Sequence, residues 1–288
     1  MIPRPFEYHA PTSIEAALTL LATHGSEAKL LAGGHSLLPM MKLRFAQPAH
    51  LVDLNRIEAL KGIRFEGNTI YIGAMTCENE LIASSVLIEH CPLLVETARL
   101  ISDPQVRYRG TIGGDISHGD PGNDHPAVML CLGASFVLQG SRAHRVVAAD
   151  GYFLGLYSTA IEPGEILTEI RIPVPSKGSG YCYAKLKRKT GDFATAAAAV
   201  LLELDGDTVV DVSIALTNLG PTALKATAAE TYLRQHPFTD GAVIEAARLA
   251  MEICDPVEDL RGSVEYKRAM AGEMTQRALN TAAARARC

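Results

Sequence analysis

Leu30-Leu31-Ala32-Gly33-Gly34-His35-Ser36-Leu37-Leu38-Pro39 closes an apolar run that begins at Ala28 and breaks into two glycines, a histidine and a serine. A short apolar run with a glycine break is a buried strand running into a turn. Glycine has no Cβ, so the main chain there can take positive φ and lie close to a ligand. Successive N–H groups in such a turn form a concave nest for an anion. A second turn of the same kind is expected at Thr111-Ile112-Gly113-Gly114-Asp115, where it opens the polar run Ser117 to His125. Together the two turns read as grips on the two ends of one extended cofactor.

Outward from the first turn, the N-terminal pattern is strand, helix, strand. Phe6 to Tyr8 reads as an entry strand, Thr12 and Glu15 as a capping box, and Ala16 to Thr23 as a helix stopped by Gly25. A helical turn at Pro39 to Arg44 and a strand at His50 to Leu54 complete a small α/β unit. From Ile63 the period changes to a hairpin, Ile63–Phe65 and Thr69–Ile72, followed by helices at Asn79–Glu89 and Leu93–Ile101. Helix is expected again at Met129–Leu132, and strands at Ala134–Leu138, Arg145–Ala148 and Ile166–Ile172. Pro173 to Gly180 is the best linker in the chain. Beyond it come three apolar strands, Tyr181–Lys187, Thr195–Leu204 and Val209–Leu216. Helices at Thr227–Gln235 (with Thr227 and Glu230 as a capping box), Asp240–Ile253 and Val264–Ala284 close the chain. Three domains follow: 1–57, 58–176 and 177–288.

The composition removes several function classes. The chain has 288 residues, a formal net charge of −5 and one tight cationic cluster, Lys187-Arg188-Lys189, which together argue against nucleic acid. Its six cysteines are widely spaced without a Cys-x-x-Cys pair, so neither zinc nor iron–sulfur ligation is expected, and no metal site is assigned. No apolar run approaches the ~20 residues that span a bilayer. No Gly-Lys-Ser/Thr follows either glycine pair, so neither is a P-loop, and no Gly-x-Gly-x-x-Gly opens a helix. Backbone cradling without a lysine suits a pyrophosphate. Asp115 and Asp124 supply acceptors for ribityl, ribose or amide hydrogens. In the loop Lys187 to Thr195, Phe193 offers a ring to a planar heterocycle, and Lys185 just before it offers a cation. No nucleophile–base pair stands out, so no catalytic residue is assigned.

Four stretches carry a resemblance: Leu31 to Leu38, Thr111 to Asp115, Gly119-Asp-Pro-Gly-Asn-Asp124, and Lys185 to Ala197. Together they resemble the medium, FAD-binding subunits of aerobic carbon monoxide dehydrogenases, and more widely the flavin subunits of molybdenum hydroxylases such as xanthine dehydrogenase. The resemblance implies an α+β, vanillyl-alcohol-oxidase-like (PCMH-type) fold, in which two α/β subdomains grip FAD. A C-terminal domain of a three-stranded antiparallel sheet and helices would cover the flavin. It also implies that Ala32, Gly33, Gly34, His35, Ser36, Leu37, Thr111, Gly114 and Asp115 meet pyrophosphate and ribityl groups. Ile101 would lie against the ring system, Asp124 and Lys185 would contact the cofactor, and Phe193 would stack where relatives are expected to carry tyrosine. Asp115 stands where asparagine is common, so it is expected to accept hydrogen bonds but no longer to donate an amide hydrogen.

The implied role is electron relay in an oxidoreductase. A molybdenum-cofactor large subunit would oxidise CO with water to CO2, and a [2Fe-2S] small subunit would carry single electrons to the flavin, which would pass them to a quinone or cytochrome. A cytoplasmic dimer of heterotrimers follows, held at the inner face of the cell membrane through the complex. A molybdenum hydroxylase acting on an N-heterocycle, aldehyde or acyl-CoA, or a self-sufficient flavin oxidase, stays open at this level.

Overall fold

In the computed structural model, which describes residues 2–288, the chain builds three main sheets, each with its own core. Met1, where the first domain was expected to begin, lies outside the described residues. In the first unit β1 (Glu7–His9), α1 (Ile14–His24), β2 (Ala28–Leu31), α2 (Leu37–Lys42) and β3 (His50–Asp53) follow one another. The strands are parallel in the order β1-β3-β2. Crossover helices make parallel pairing possible, and α1 buries Ala17 and Leu18 against Val52 beneath it. The cap of α1 is Ser13, whose Oγ accepts from the Ala16 amide at 3.1 Å. The expected Thr12–Glu15 box does not form, because the helix starts one residue later than that box needs.

The second unit holds β4 (Ile63–Glu66), β5 (Thr69–Gly73), α3 (Glu78–Ala83), α4 (Ser85–His90), α5 (Pro92–Leu100), α6 (Pro104–Arg109), α7 (Ile112–His118), α8 (His125–Cys131), β6 (Ser135–Gln139), β7 (His144–Ala148), β8 (Phe153–Gly155), β9 (Ser158–Thr159) and β10 (Ile166–Pro173). Its antiparallel sheet runs β4-β5-β10-β6-β7. Two differences from the expected pattern bear on the site. The Asn79–Glu89 helix is two helices, because Ser84 leaves helical geometry and caps the second through its hydroxyl. The second glycine pair is not a turn but the first turn of α7, with Thr111 as N-cap accepting from Gly114 N at 3.1 Å.

The C-terminal unit carries β11 (Gly180–Leu186), β12 (Ala196–Asp205), β13 (Thr208–Thr217), β14 (Leu224–Lys225), α9 (Thr227–Gln235), α10 (Asp240–Glu252) and α11 (Val264–Ala286). The three long strands are joined by a fourth of two residues, so the expected three-stranded sheet is four-stranded, in the order β11-β12-β13-β14. Two residues are too few to carry a period-2 signal. The Thr227–Glu230 box is also absent: Glu230 instead turns inward to accept from Ile214 N at 2.8 Å and to pair with Lys225.

The alanines of β12 explain how this unit is seated. Ala196, Ala198, Val200 and Leu202 face the core under the C-terminal helices, while Ala197 and Ala199 belong to the core of the second unit. Both faces of the strand are buried, and small side chains let two layers approach it. Among the described residues no helix is long and apolar enough to cross a membrane.

Candidate functional site

The three units meet around one groove of about 560 Å³. Its first wall is the glycine stretch after β2. Gly34 takes φ +78°, which reverses the chain into α2. The His35 ring turns back on this loop, with Nδ1 3.0 Å from Gly33 O. The amides of Gly33, Gly34, His35, Ser36 and Leu37 find no acceptor among the described residues, so they are free to donate into the groove they line. A carboxamide pins the stretch from behind: Asn55 Nδ2 donates to Ala32 O at 3.0 Å. Asp53 holds Asn55 through its side-chain amide and its backbone N–H, and Tyr8 donates its hydroxyl to the same carboxylate. Sequence reading took Asp53 only as a strand residue and missed Asn55, although Asp-x-Asn after an apolar strand is a local turn signal.

The second wall is the start of α7. The stretch around Gly33 packs against the segment that leads into α7, and this is where small residues are required. A Cβ on Gly33 would lie 2.4 Å from Arg109 O and 2.8 Å from Gly110 Cα, and one on Gly114 would lie 3.3 Å from Ala32 Cβ. At Gly33, then, what comes close is the chain itself rather than a ligand.

Asp115 lies on this wall with Oδ1 out of reach of solvent and without a hydrogen-bond partner. Burial pushes its carboxyl up to about 8, with Glu78, Asp124 and Asp120 acting in the same direction and His125 against. Burial thus favours the form that carries a proton, which donates as well as accepts. Behind it, His125 and Glu78 form a buried pair at 2.9 Å. Burial disfavours the imidazolium, but the Glu78 carboxylate overrides it and raises the His125 pKa.

The floor joins the second unit to the C-terminal sheet. Asp124 sits between Lys185 Nζ at 2.6 Å and Tyr183 OH at 2.6 Å, and Tyr183 OH lies 3.0 Å from Thr217 Oγ1. Lys185 also donates to Leu100 O, beside Ile101. Ile101, Asp124 and Lys185 all line the groove. Phe193 lines its mouth and is 47% exposed, which leaves part of its ring open to a planar group. Its loop is braced: Asp192 accepts from Arg188 and Arg261 at 2.9 and 2.8 Å, and Arg261 lies over the Phe193 ring at 5.6 Å. The Arg261 hydrogen bond in particular outweighs burial and holds the Asp192 carboxyl at about 2.

All thirteen residues expected at the site from sequence line this one groove: Ala32 to Leu37, Ile101, Thr111, Gly114, Asp115, Asp124, Lys185 and Phe193. Sequence reading missed Tyr157, on the β8–β9 hairpin, whose ring lies tilted against His118 at 4.9 Å and lines the same space. That hairpin is too short to carry a periodic signal.

The groove fits an extended, partly anionic cofactor. Free amides stand along one wall, an unpartnered buried carboxyl oxygen on the other, a lysine in the floor and a half-exposed aromatic ring at the mouth. Comparison with known proteins agrees. The family described as "FAD binding domain in molybdopterin dehydrogenase" matches residues 4–175, and "CO dehydrogenase flavoprotein C-terminal domain" matches residues 181–282. The chain is 59% identical to a carbon monoxide dehydrogenase medium chain of Hydrogenophaga pseudoflava, over 99% of each chain. It is 53% identical to a second, from Afipia carboxidovorans, over 100% of each. Among solved structures, the carbon monoxide dehydrogenase of Hydrogenophaga pseudoflava lacking the Mo-pyranopterin moiety superposes with a TM-score of 0.98, at 60% identity over 99% of each chain.

Proposed function

The chain belongs to the FAD-binding family of the molybdopterin dehydrogenases, is an oxidoreductase subunit that binds FAD, and from that premise we propose that it is the medium subunit of a molybdenum-containing carbon monoxide dehydrogenase. It takes electrons from [2Fe-2S] clusters of a small subunit and delivers them to a quinone or cytochrome. The electrons come from CO, oxidised with water to CO2 on a molybdenum-cofactor large subunit. Two such heterotrimers pair in the cytoplasm, at the inner face of the cell membrane. The observation that carries this reading is 59% identity over essentially the full length of a carbon monoxide dehydrogenase medium chain.

Bound FAD supplies a ring that accepts and releases electrons singly or in pairs, which no side chain of this protein can do. The protein's part is to hold and orient it. The free amides of Gly33 to Leu37 meet the pyrophosphate oxygens, with Asn55 keeping that loop in place. Thr111 and Gly114 shape the opposing wall, where Asp115, if it keeps its proton, would donate to a ribityl or phosphate oxygen. Lys185, Asp124 and Ile101 would border the ring, and Phe193 would stack on it. No proton-transfer residue is assigned. The division into FAD-binding subdomains at 1–57 and 58–176 and a covering domain at 177–288 is part of the same reading; the sheets and the Pro173–Gly180 connection support it.

Anaerobic addition of CO to the purified native complex tests the proposal. Bleaching of the flavin absorbance together with dye reduction is expected. A complex whose flavin responds to an N-heterocycle or an aldehyde and not to CO would overturn the substrate, and a native complex without flavin would overturn the role itself.

A further inference from the structure

Three histidines, far apart in sequence, meet on one face of the first sheet, away from the residues that line the flavin groove. His9 closes β1, His24 closes α1 and His50 opens β3. The parallel register pairs Glu7 with His50 across the two strands, so Glu7, His9, His50 and Val52 share a face. Helix α1 packs on that face through Ala17 and Leu18, which brings its last residue, His24, over the strand ends. One nitrogen of each ring lies within 4.8 Å of the other two. His9 Nε2 and His50 Nδ1 are 3.2 Å apart, and the His24 and His50 ring centroids stack at 3.7 Å. Glu7 brings a carboxylate oxygen to 3.4 Å from His50 Nδ1 and 4.0 Å from His9 Nε2. Among the described residues no side chain outside this cluster hydrogen-bonds to any of the rings.

We propose that His9, His24 and His50 bind a divalent transition-metal ion of the zinc class, with Glu7 or water as fourth ligand. Tetrahedral zinc with bonds of ~2.0–2.1 Å needs ligand nitrogens about 3.4 Å apart. The His9–His50 pair already has that spacing, and rotation of the His24 ring about its terminal torsion brings in the third nitrogen. Neutral imidazole is the ligand that suits zinc, copper and nickel, whereas magnesium and calcium want oxygen. The side chains of His9 and His50 are 24% and 14% exposed, so an ion can enter, yet each ring is held by its element. The wide sequence spacing, 9, 24 and 50, hides the site from a motif search and explains why no metal was expected.

None of the three lines the flavin groove. The grip on Ala32 is held from Asp53 and Asn55, at the far end of β3 from His50. The metal is therefore a clamp: it ties β1, the end of α1 and β3 together behind the sheet that presents the first glycine stretch.

The test uses the native complex purified without a histidine tag, stripped with chelator and dialysed against Zn2+, with metal counted by mass spectrometry. Wild type is expected to bind one zinc ion more per chain than His24→Gln or His50→Gln, while all three keep the same flavin content. Mg2+ should not compete. Co2+ added to wild type alone gives a second reading that does not depend on a variant folding. Tetrahedral visible bands without thiolate charge transfer, abolished by Zn2+, are expected. Equal zinc in wild type and variants, absence of those bands, or bands of thiolate type would each overturn the proposal.

Discussion

Asp115 shows how one side chain changes the chemistry of the groove. A carboxyl that burial pushes up to about 8 favours its protonated form at pH 7, which donates through its hydroxyl and accepts through its carbonyl, much as asparagine donates through NH2 and accepts through its carbonyl. Asp115→Asn should therefore keep flavin at pH 7. Raising the pH through about 8 ionises the wild-type group and sets a carboxylate against the diphosphate that the neighbouring amides are proposed to hold. Flavin retention, followed by the fluorescence of released FAD, should fall between pH 7 and pH 9 in wild type and stay level in the variant. The sign for stability runs the same way. The folded pKa lies above the unfolded value of ~3.9, so ionisation opposes folding and the cost grows as pH rises from there to about 8. Identical pH profiles for the two proteins would show that Asp115 is already ionised at neutrality.

The two glycine stretches act as elements by touching each other. Gly33→Ala puts a methyl group against the Arg109 carbonyl, where neither backbone can yield cheaply. Overpacking of this kind costs ~1–3 kcal/mol, so a melting temperature lower by several degrees and a reduced flavin-to-protein ratio are expected. Full flavin with an unchanged melting temperature would mean that the contact is not needed. The sequence made these stretches visible because glycine pairs interrupt apolar runs, and the long strands and helices were legible for the same reason: period and caps extend over many residues. The helical state of Ile112–His118 was hidden, since glycines in a first turn lower helix propensity and imitate a turn. The β8–β9 hairpin and β14 were hidden by brevity. Tyr157 and the histidine trio depend on which distant elements meet, and local sequence holds no trace of that.

At the scale of the whole molecule, the C-terminal sheet is joined to the FAD-binding part through a polar joint inside an apolar seam. Ala197, Ala199 and Ala215 complete the core of the second unit, and in their midst Lys185 and Asp124 pair at 2.6 Å with side-chain exposures of 1% and 6%. A buried pair contributes little net stability over an apolar substitute, but removing one partner strands the other charge. Lys185→Met should thus cost ~3–5 kcal/mol, because Asp124 keeps only Tyr183. Asp124→Asn combined with Lys185→Met removes both charges and should recover much of that loss, so the two changes are strongly non-additive. Thermal unfolding of the single and double variants measures the coupling, and cleavage by a protease at the exposed residues between Pro173 and Gly180 reports whether the two parts have come apart. If the costs simply add, the pair is not a unit and the seam rests on its alanines. If they cancel while flavin is still lost, the ion pair is kept for the cofactor that spans the joint, and stability is only its by-product.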